Sequence, residues 1–327
     1  MDGHGDLSLT PKYIIQKIKK LTDAKKLCVG FSGGVDSHVL LDLTVQAFSK
    51  LPEYEVSALH VHHGISDLAD EWARHCEAIC SEYQVPLTVL WVDGNVTGGR
   101  SPEEVAREAR FSAFENFLEA QQCLLLAHHE ADQAETILLR LFRGTGPLGL
   151  GGIPEKAPLG KSELIRPLLN IPKEEIIQYA RLQNLKWVED DSNTNTRFDR
   201  NFLRTEIMPI LEARWPRVVR SMNRAGALCF ETATAVQVLA LGDLEKVKGS
   251  VAGNLSVAKL LQLDTVRRRG VLRCWLQQFG FALPSRDHME RIDREILLAK
   301  SGSRPQLKIG SYEIRRQRDE LSVNTLR

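Results

Sequence analysis

Between residues 26 and 142, short apolar segments alternate with longer segments of helical periodicity, and this alternation constrains the fold more than any other feature. Four segments have the length and composition of buried strands: Lys26–Phe31, Val56–Val61, Pro86–Val92 and Cys123–Ala127. A segment of helical periodicity follows each one: Asp36–Phe48, Ala69–Tyr83, Ser101–Leu118 and Asp132–Phe142. Strands and helices that alternate at this spacing predict a doubly wound α/β domain built on a parallel sheet.

The pattern changes in the second half of the chain. A Gly- and Pro-rich stretch over residues 144–160 follows the alternating region. Three helical segments follow residue 215, namely Val218–Leu241, Val257–Phe279 and Arg286–Ala299. The last stretch, Gln306–Val323, alternates as a small hairpin would. We therefore predict an α/β domain over residues 1–215 and a mainly helical domain over residues 216–327.

The composition is that of an ordinary globular protein. Hydrophobic residues make up 43% and charged residues 26% of the 327 residues. No apolar run approaches about 18 residues, so no membrane partner is expected. The six cysteines include no CxxC pair, which disfavours a disulfide framework or a zinc site and favours buried, reduced thiols. Because the N-terminus also lacks a signal-peptide pattern, we expect a cytoplasmic protein.

Basic residues are concentrated in a few parts of a nearly neutral chain. The formal net charge is +1, yet residues 197–224 contain seven arginines against three acidic residues. Further clusters are Arg267–Arg269 and Arg315–Arg318. Such clusters can form a basic face that contacts RNA phosphates, or they can be solvated helix surfaces.

The segment Ser32-Gly33-Gly34-Val35-Asp36-Ser37 lies between the first predicted strand and its helix. Two glycines let backbone amides close around an anion, and the following helix presents free N–H groups and the positive end of its dipole. The pattern is not that of a Walker loop, because no lysine within the segment reaches the terminal phosphates. We interpret the segment as a pyrophosphate-binding loop; the alternative is an ordinary tight turn.

Polar residues also end two other predicted strands. His60 and His62 end the second strand, and residues 128–133 follow the fourth. Ligands bind at the carboxyl ends of parallel strands, so these residues and the loop are expected to meet. Asp132 and Glu135 lie about one turn apart on one helix face and suit a substrate ammonium group. The alternatives are that His62 and His63 end the strand in solvent and that Asp132 has a helix-capping role.

The loop resembles the PP-loop of the N-type ATP pyrophosphatases, a family with an adenine nucleotide alpha hydrolase-like fold. These enzymes cleave ATP between the α and β phosphates and transfer AMP to a substrate oxygen. Further motifs resemble those of the tRNA(Ile)-lysidine synthetases: His60–Gly64; Glu103 with Ala106-Arg107 and Arg110-Phe111; Ala127–Thr136; Arg143–Gly146; Trp187 with Glu189–Asn193; and Asp199–Arg204. They occur in the family's order and span nearly the whole chain.

The resemblance implies a two-step reaction that uses ATP and Mg²⁺ and acts on an isoleucine tRNA with a CAU anticodon. Oxygen 2 of the wobble cytidine attacks the α-phosphate of ATP, and the ε-amine of free L-lysine then displaces AMP to give lysidine. The domain over residues 1–215 would carry the chemistry, and the domain over residues 216–327 would bind the tRNA.

Roles for single residues follow from the motifs and from side-chain chemistry. Catalytic roles are predicted for Asp36, His129, Asp132 and Arg143, and Asp36 is also the predicted Mg²⁺ ligand. ATP contacts are predicted for Ser32, Gly33, Gly34, Val35, Asp36, Ser37, His60, His62 and Gly144. Lysine contacts are predicted for Asp132 and Glu135. Contacts with tRNA are predicted for Arg107, Arg110, Arg200, Asn201 and Arg204, of which the last three could instead form a helix surface.

Two features depart from the family pattern. Ala131 stands where the family has the first of two aspartates, and the chain ends at Arg327 whereas many relatives continue into a further domain. Two alternatives remain beside lysidine synthesis, a tRNA base thiolase and a non-catalytic RNA-binding relative. The lack of CxxC pairs disfavours the thiolase, and the intact loop disfavours the non-catalytic reading. The resemblance also leaves a homodimer open.

Overall fold

The computed structural model describes residues 8–62, 64, 68–92, 102–189, 195–300 and 303–326. The chain divides into two compact units, Met1–Leu228 and Cys229–Arg327. The domain boundary after residue 215 stays a prediction. Each unit has a hydrophobic core of its own.

A six-stranded sheet forms the centre of the first unit. Its strands are β1 Lys26–Gly30, β2 Glu55–His62, β3 Leu87–Trp91, β4 Gln122–Leu125, β5 Lys156–Leu159 and β6 Ser162–Ile165. Their order in the sheet is β3-β2-β1-β4-β6-β5. All neighbours are parallel except β5 and β6, which form an antiparallel hairpin at one edge. The parallel sheet is confirmed, and the hairpin, which was not predicted, makes it a mixed sheet.

Ten α-helices of the described residues begin in the first unit. They are α1 Pro11–Leu21, α2 Val35–Phe48, α3 Ala69–Glu82, α4 Pro102–Phe117, α5 Glu130–Phe142, α6 Pro147–Leu150, α7 Lys173–Leu182, α8 Asp199–Phe202, α9 Met208–Arg214 and α10 Val218–Lys246. A π-helical turn, Leu203–Ile207, joins α8 to α9. The four helices predicted between residues 36 and 142 correspond to α2, α3, α4 and α5. Their apolar residues recur with helical periodicity, which gives each helix an apolar face for the sheet.

The sheet is covered on both faces, as a doubly wound fold requires. Leu27 and Val29 of β1 belong to a core shared with α1, α2, α3 and α7. Cys28, between them, belongs to a second core with Leu124 of β4 and Phe114 of α4. Successive side chains of a strand point to opposite faces, so burial of all three neighbours means that helices cover both sides. The predicted doubly wound architecture is confirmed.

The second unit combines helices with a small antiparallel sheet. Its helices are α11 Val257–Gln262, α12 Thr265–Gln278 and α13 Arg286–Arg291, followed by a π-helical turn, Ile292–Leu297. Its strands are β7 Leu255–Ser256, β8 Gln306–Ile309, β9 Tyr312–Gln317 and β10 Glu320–Thr325, in the order β7-β10-β9-β8. The terminal hairpin of the sequence analysis is therefore part of a four-stranded sheet. Trp275 is buried in this core, and its indole N–H donates to the Gly253 carbonyl at 2.8 Å.

Helix α10 is unusual in its composition. Its 29 residues include an 18-residue window with a mean hydropathy of 1.4, of which 11% is buried. By length and composition alone it could cross a membrane, although no single apolar run marked it in the sequence. Long amphipathic helices of water-soluble assemblies share these two properties, so the absence of a membrane partner stays a prediction.

Candidate active site

The glycine loop between β1 and α2 is shaped by close packing. Gly33 has a φ of +85°, a conformation that side chains rarely adopt. A Cβ atom there would lie 3.0 Å from Cγ2 of Val188 and 3.2 Å from Sγ of Cys76. The Gly33 carbonyl accepts a hydrogen bond from the Val188 N–H at 3.1 Å. The loop therefore has a fixed conformation that only glycine allows at this position.

The loop presents hydrogen-bond donors at the start of α2. Gly34 is the N-cap residue, and no side chain caps the first N–H groups of the helix. The hydroxyls of Ser32 and Ser37 lie 3.1 Å apart, and that of Ser37 donates to the Gly34 carbonyl at 2.9 Å. Uncapped amides and two hydroxyls at the positive end of a helix form a suitable site for pyrophosphate.

Asp36 lies in the first turn of α2 at the mouth of this loop. Its Oδ1 contacts the ammonium group of Lys173, and its Oδ2 lies 3.8 Å from Nε2 of His129. The described residues contain no group of three or more histidine, cysteine or acidic side chains that could hold a metal. Mg²⁺ is usually bound by one or two carboxylates together with substrate phosphates. Asp36, whose side chain is 30% exposed, fits that mode of binding.

His129 and Asp132 meet at the start of α5. His129 is the N-cap residue, and its backbone N–H donates to Oδ2 of Asp132 at 2.9 Å. The His129 ring is buried, with its Nε2 3.4 Å from the same carboxylate oxygen. Burial raises the pKa of Asp132, but His129, Arg200 and the N–H donor outweigh it and hold the pKa well below its usual range. The capping role of Asp132 is therefore confirmed, and its role in the site stays a prediction.

Two arginines neutralise the carboxylates that were assigned to lysine. Glu135 is 1% exposed and accepts from Nε of Arg200 at 2.7 Å and from Nε of Arg204 at 2.8 Å. Asp132 accepts from Nη2 of Arg200 at 3.0 Å and from Nη2 of Arg204 at 3.3 Å. We call these four side chains the arginine–carboxylate network. Its charges sum to zero, because two guanidinium groups face two carboxylates.

Not all of the residues predicted for tRNA contacts share this environment. Arg200 and Arg204 point into the network, and the Asn201 amide donates to the Asn195 carbonyl at 3.1 Å. Arg107 and Arg110 of α4 instead stack over the Phe111 ring, at 4.9 and 5.9 Å from its centroid. In the second unit, Arg267 pairs with Asp243, while Arg268 and Arg269 pair with Asp293. The RNA roles of the five residues assigned to tRNA stay predictions.

The histidines at the strand ends are buried rather than solvated. His60 is hydrogen-bonded to the Phe31 carbonyl at 2.9 Å, and burial lowers its pKa. His62 pairs with Asp70 at 2.9 Å and stacks on Trp91, with the ring centroids 3.9 Å apart. The alternative of a strand-end histidine in solvent is therefore wrong for His62. Trp91, for which no role was predicted, is 70% exposed at the carboxyl end of β3.

His128 and the turn after α5 complete the surroundings of the site. Burial lowers the pKa of His128 to about 3, although Asp132 opposes this, so the ring is neutral at pH 7. Its Nδ1 accepts from Nε of Arg166 at 3.3 Å. Arg143 is exposed at the end of α5, and Gly144 follows with a φ of +68°. His63, for which the solvent alternative was also open, the side chain of Glu103 and the segment 190–194 lie outside the described residues.

Comparison with known proteins agrees with this geometry. Residues 9–211 match the family model for the PP-loop domain, and residues 255–322 match the TilS substrate binding domain. The tRNA(Ile)-lysidine synthase of Coxiella burnetii is 40% identical over 96% of this chain and 70% of that relative. The chain belongs to the tRNA(Ile)-lysidine synthase family. The enzyme of that name from Escherichia coli O157:H7 is likewise 40% identical, over 93% of this chain and 70% of the relative.

A more distant solved structure shares the fold alone. The U34-tRNA thiolase NcsA from Methanococcus maripaludis superimposes with a TM-score of 0.55 and 19% identity, covering 68% of this chain and 77% of that chain. Ala131 is the position at which the resemblance described above implies an aspartate. Ala131 lies in the first turn of α5, next to Asp132. The arginine–carboxylate network is complete without a carboxylate at position 131.

Sequence reasoning missed Lys173 and the pairing of Arg200 and Arg204 with carboxylates. Lys173 begins α7, directly after Pro172, in a segment without any polar motif. It is 137 residues from Asp36 in sequence, and Arg200 is 65 residues from Glu135. The local signal for Lys173 is a helix start with a lysine at its first position, where cations are normally disfavoured by the helix dipole.

Proposed function

We propose that this protein forms lysidine in an isoleucine tRNA with a CAU anticodon, using ATP and free L-lysine. In the first step, oxygen 2 of the wobble cytidine forms a bond to the α-phosphorus of ATP, and the bond to pyrophosphate breaks. In the second step, the ε-amine of lysine bonds to carbon 2 of the base, loses a proton, and AMP leaves. One observation carries the proposal: the pyrophosphate loop adjoins the arginine–carboxylate network through Asp36 and His129.

The loop suits the departure of pyrophosphate. Negative charge grows on the bridging oxygen and on the leaving phosphates as the bond to the α-phosphorus breaks. The uncapped amides of α2 and the hydroxyls of Ser32 and Ser37 are already held in place, so they need little reorganisation to stabilise that charge. Mg²⁺, which we propose is bound by Asp36 together with the phosphates, would neutralise part of the same charge.

Asp132 and Glu135 are the proposed binding groups for the lysine side chain. A half-buried ammonium or amine needs a nearby carboxylate, and both carboxylates lie within one turn of α5. In the structure each already accepts hydrogen bonds from both guanidinium groups. Lysine would therefore exchange with one guanidinium group. Arg204 is the better candidate to leave, because its side chain is 40% exposed and that of Arg200 is 19% exposed.

The tRNA-binding role of the second unit rests on the family model that matches residues 255–322. Two exposed arginines near the start of α10 support phosphate contacts in the first unit: Arg217, and Arg220, whose side chain is 71% exposed although its Nε lies 4.0 Å from Glu130. A homodimer, which the resemblance allows, and a cytoplasmic location, which the composition favours, are also part of the proposal. The sequence of the tRNA that the protein selects is also part of the proposal.

The competing thiolase function needs a nucleophilic sulfur, and three buried cysteines of the first unit are unsuited to that role. Burial raises the pKa of Cys76, Cys80 and Cys123 to about 12 in each case. A thiol with such a pKa is protonated at pH 7 and is a poor nucleophile. Cys76 is the cysteine that packs against the loop, and it lies 3.4 Å from Nδ1 of His60.

The decisive experiment measures lysine transfer to RNA. The protein is incubated with ATP, Mg²⁺, bacterial tRNA and radiolabelled lysine, and acid-precipitable label is counted beside an Asp36→Asn control. We expect incorporation that requires ATP and that falls at least about a hundredfold in the variant, since a charged ligand of the reacting phosphates is lost. Release of pyrophosphate without label would leave adenylation but not lysidine synthesis. If neither pyrophosphate nor labelled RNA were formed, the non-catalytic RNA-binding alternative would be favoured.

A further inference from the structure

Lys173 supplies a cation to a loop that contains none. The loop Ser32–Ser37 holds serine hydroxyls, amides and one carboxylate, Asp36. The Lys173 ammonium contacts Oδ1 of this carboxylate, and both side chains are about one-third exposed, at 29% and 30%. The pair therefore lies at the mouth of the loop, within reach of a ligand. No motif and none of the residue roles described above includes Lys173.

The charges at the loop mouth point to a change of partner when ATP binds. ATP brings about four negative charges to a loop whose own side chains add that of Asp36. A lysine at this position can lie beside the carboxylate only while the carboxylate has no stronger cation. Mg²⁺ prefers carboxylate oxygen and would compete for Asp36, which leaves the ammonium next to phosphate oxygens. Lysine serves such a role well because its ammonium is a compact point charge on a flexible stem.

We propose that Lys173 is the phosphate-binding lysine of this site: it pairs with Asp36 before ATP arrives and binds the departing pyrophosphate afterwards. The inference rests on the proposed function, which requires ATP in the loop. It assigns to α7 the task that the lysine of a Walker loop performs from within the loop itself. Because Lys173 belongs to α7, its contact with a phosphate in the loop would also help to fix the position of α7.

The alternative is a purely structural role, in which Lys173 holds Asp36 in place and never contacts ATP. The two roles can be distinguished in an Asp36→Asn variant, which has no Lys173–Asp36 ion pair to maintain. ATP binding without tRNA or lysine is measured by calorimetry, with and without Mg²⁺. Adding Lys173→Met to Asp36→Asn should weaken ATP binding roughly tenfold to a hundredfold, the strength of one charge-assisted hydrogen bond.

Matched variants complete the experiment. Lys173→Met alone should weaken ATP binding by a similar factor, and Lys173→Arg should restore most of it, because a cation remains. Lys17→Met is the control, since Lys17 makes a comparable half-buried ion pair with Glu155 outside the loop; its affinity for ATP should stay unchanged. Lys173→Gln replaces Lys173→Met if the latter does not fold, as judged by thermal unfolding.

If Asp36→Asn binds ATP equally well with and without Lys173→Met, the proposal is overturned and the purely structural role of Lys173 remains. That result is distinct from failure of the proposed function, because transfer of labelled lysine to tRNA by the unaltered protein is a separate measurement. Equal loss of affinity in the Lys17→Met control would also overturn it, because the effect would then belong to ion pairs of the unit in general.

Discussion

At the scale of single residues, the carboxylates Asp132 and Glu135 are shared between two potential cations. In the structure the cations are the guanidinium groups of Arg200 and Arg204, and in the proposed reaction the side chain of lysine would replace one of them. A guanidinium group that occupies the position of the substrate acts as an internal competitor. Arg204 was predicted to contact tRNA, and its contacts with both oxygens of Glu135 favour a role at the carboxylates.

Replacing Arg204 tests this competition. We expect Arg204→Gln to lower the KM for lysine about threefold to tenfold, because a competing cation with contacts worth about 1 kcal/mol is removed. The KM for tRNA should change less than about twofold. Steady-state kinetics with varied lysine and varied tRNA measure both constants, and Arg181→Gln, at the exposed end of α7, serves as the control. A raised KM for tRNA with an unchanged KM for lysine would support the RNA role instead.

At the scale of elements, the end of α5 gives Gly144 a structural role beside the ATP contact assigned to it. The helix ends in a Schellman motif: the Gly144 N–H donates to the Leu141 carbonyl at 3.0 Å and the Thr145 N–H to the Arg140 carbonyl at 3.2 Å. This motif requires the left-handed backbone that Gly144 adopts at a φ of +68°. Steric crowding does not require a glycine at this position, because a Cβ atom at residue 144 would have no neighbour within 4 Å.

Gly144→Ala should therefore cost about 1 kcal/mol of the free energy of unfolding, through backbone strain alone. Gly146→Ala is a matched control, since Gly146 has a φ of −79° and equally open surroundings. Urea denaturation compares the three proteins, and the KM for ATP is determined in parallel. A large rise in the KM for ATP in Gly144→Ala, without loss of stability, would show that the ATP contact matters more than the helix end.

At the scale of the whole molecule, two units with separate cores should respond separately to a core mutation. Trp275→Ala, in the core of the second unit, should lower the stability of that unit by about 3–5 kcal/mol. Calorimetry should show one shifted transition, with ATP affinity unchanged and lysine transfer to tRNA reduced. Phe48→Ala, in the core of the first unit, should shift the other transition. A single transition that moves in both variants would show that the units unfold together.

Much of the fold could be predicted because its signals are local. The strands β1 to β4 are marked by short apolar runs, and the turn after β1 is marked by two glycines. The hairpin of β5 and β6 gave no such signal, because its four-residue strands are too short to show a period. The burial of His60 and His62 could not be predicted either, because it depends on the helices that cover the strand ends.

The sequence by itself determined the alternation of strands and helices, the site at the carboxyl edge of the sheet, and the family, because each depends on the order of neighbouring residues. Only the tertiary structure decided which charged groups are partners. Lys173 meets Asp36 across 137 residues, and Arg200 and Arg204 meet Glu135 across 65 and 69 residues. Ion pairs form between groups that packing brings within about 4 Å, and no local pattern encodes that proximity.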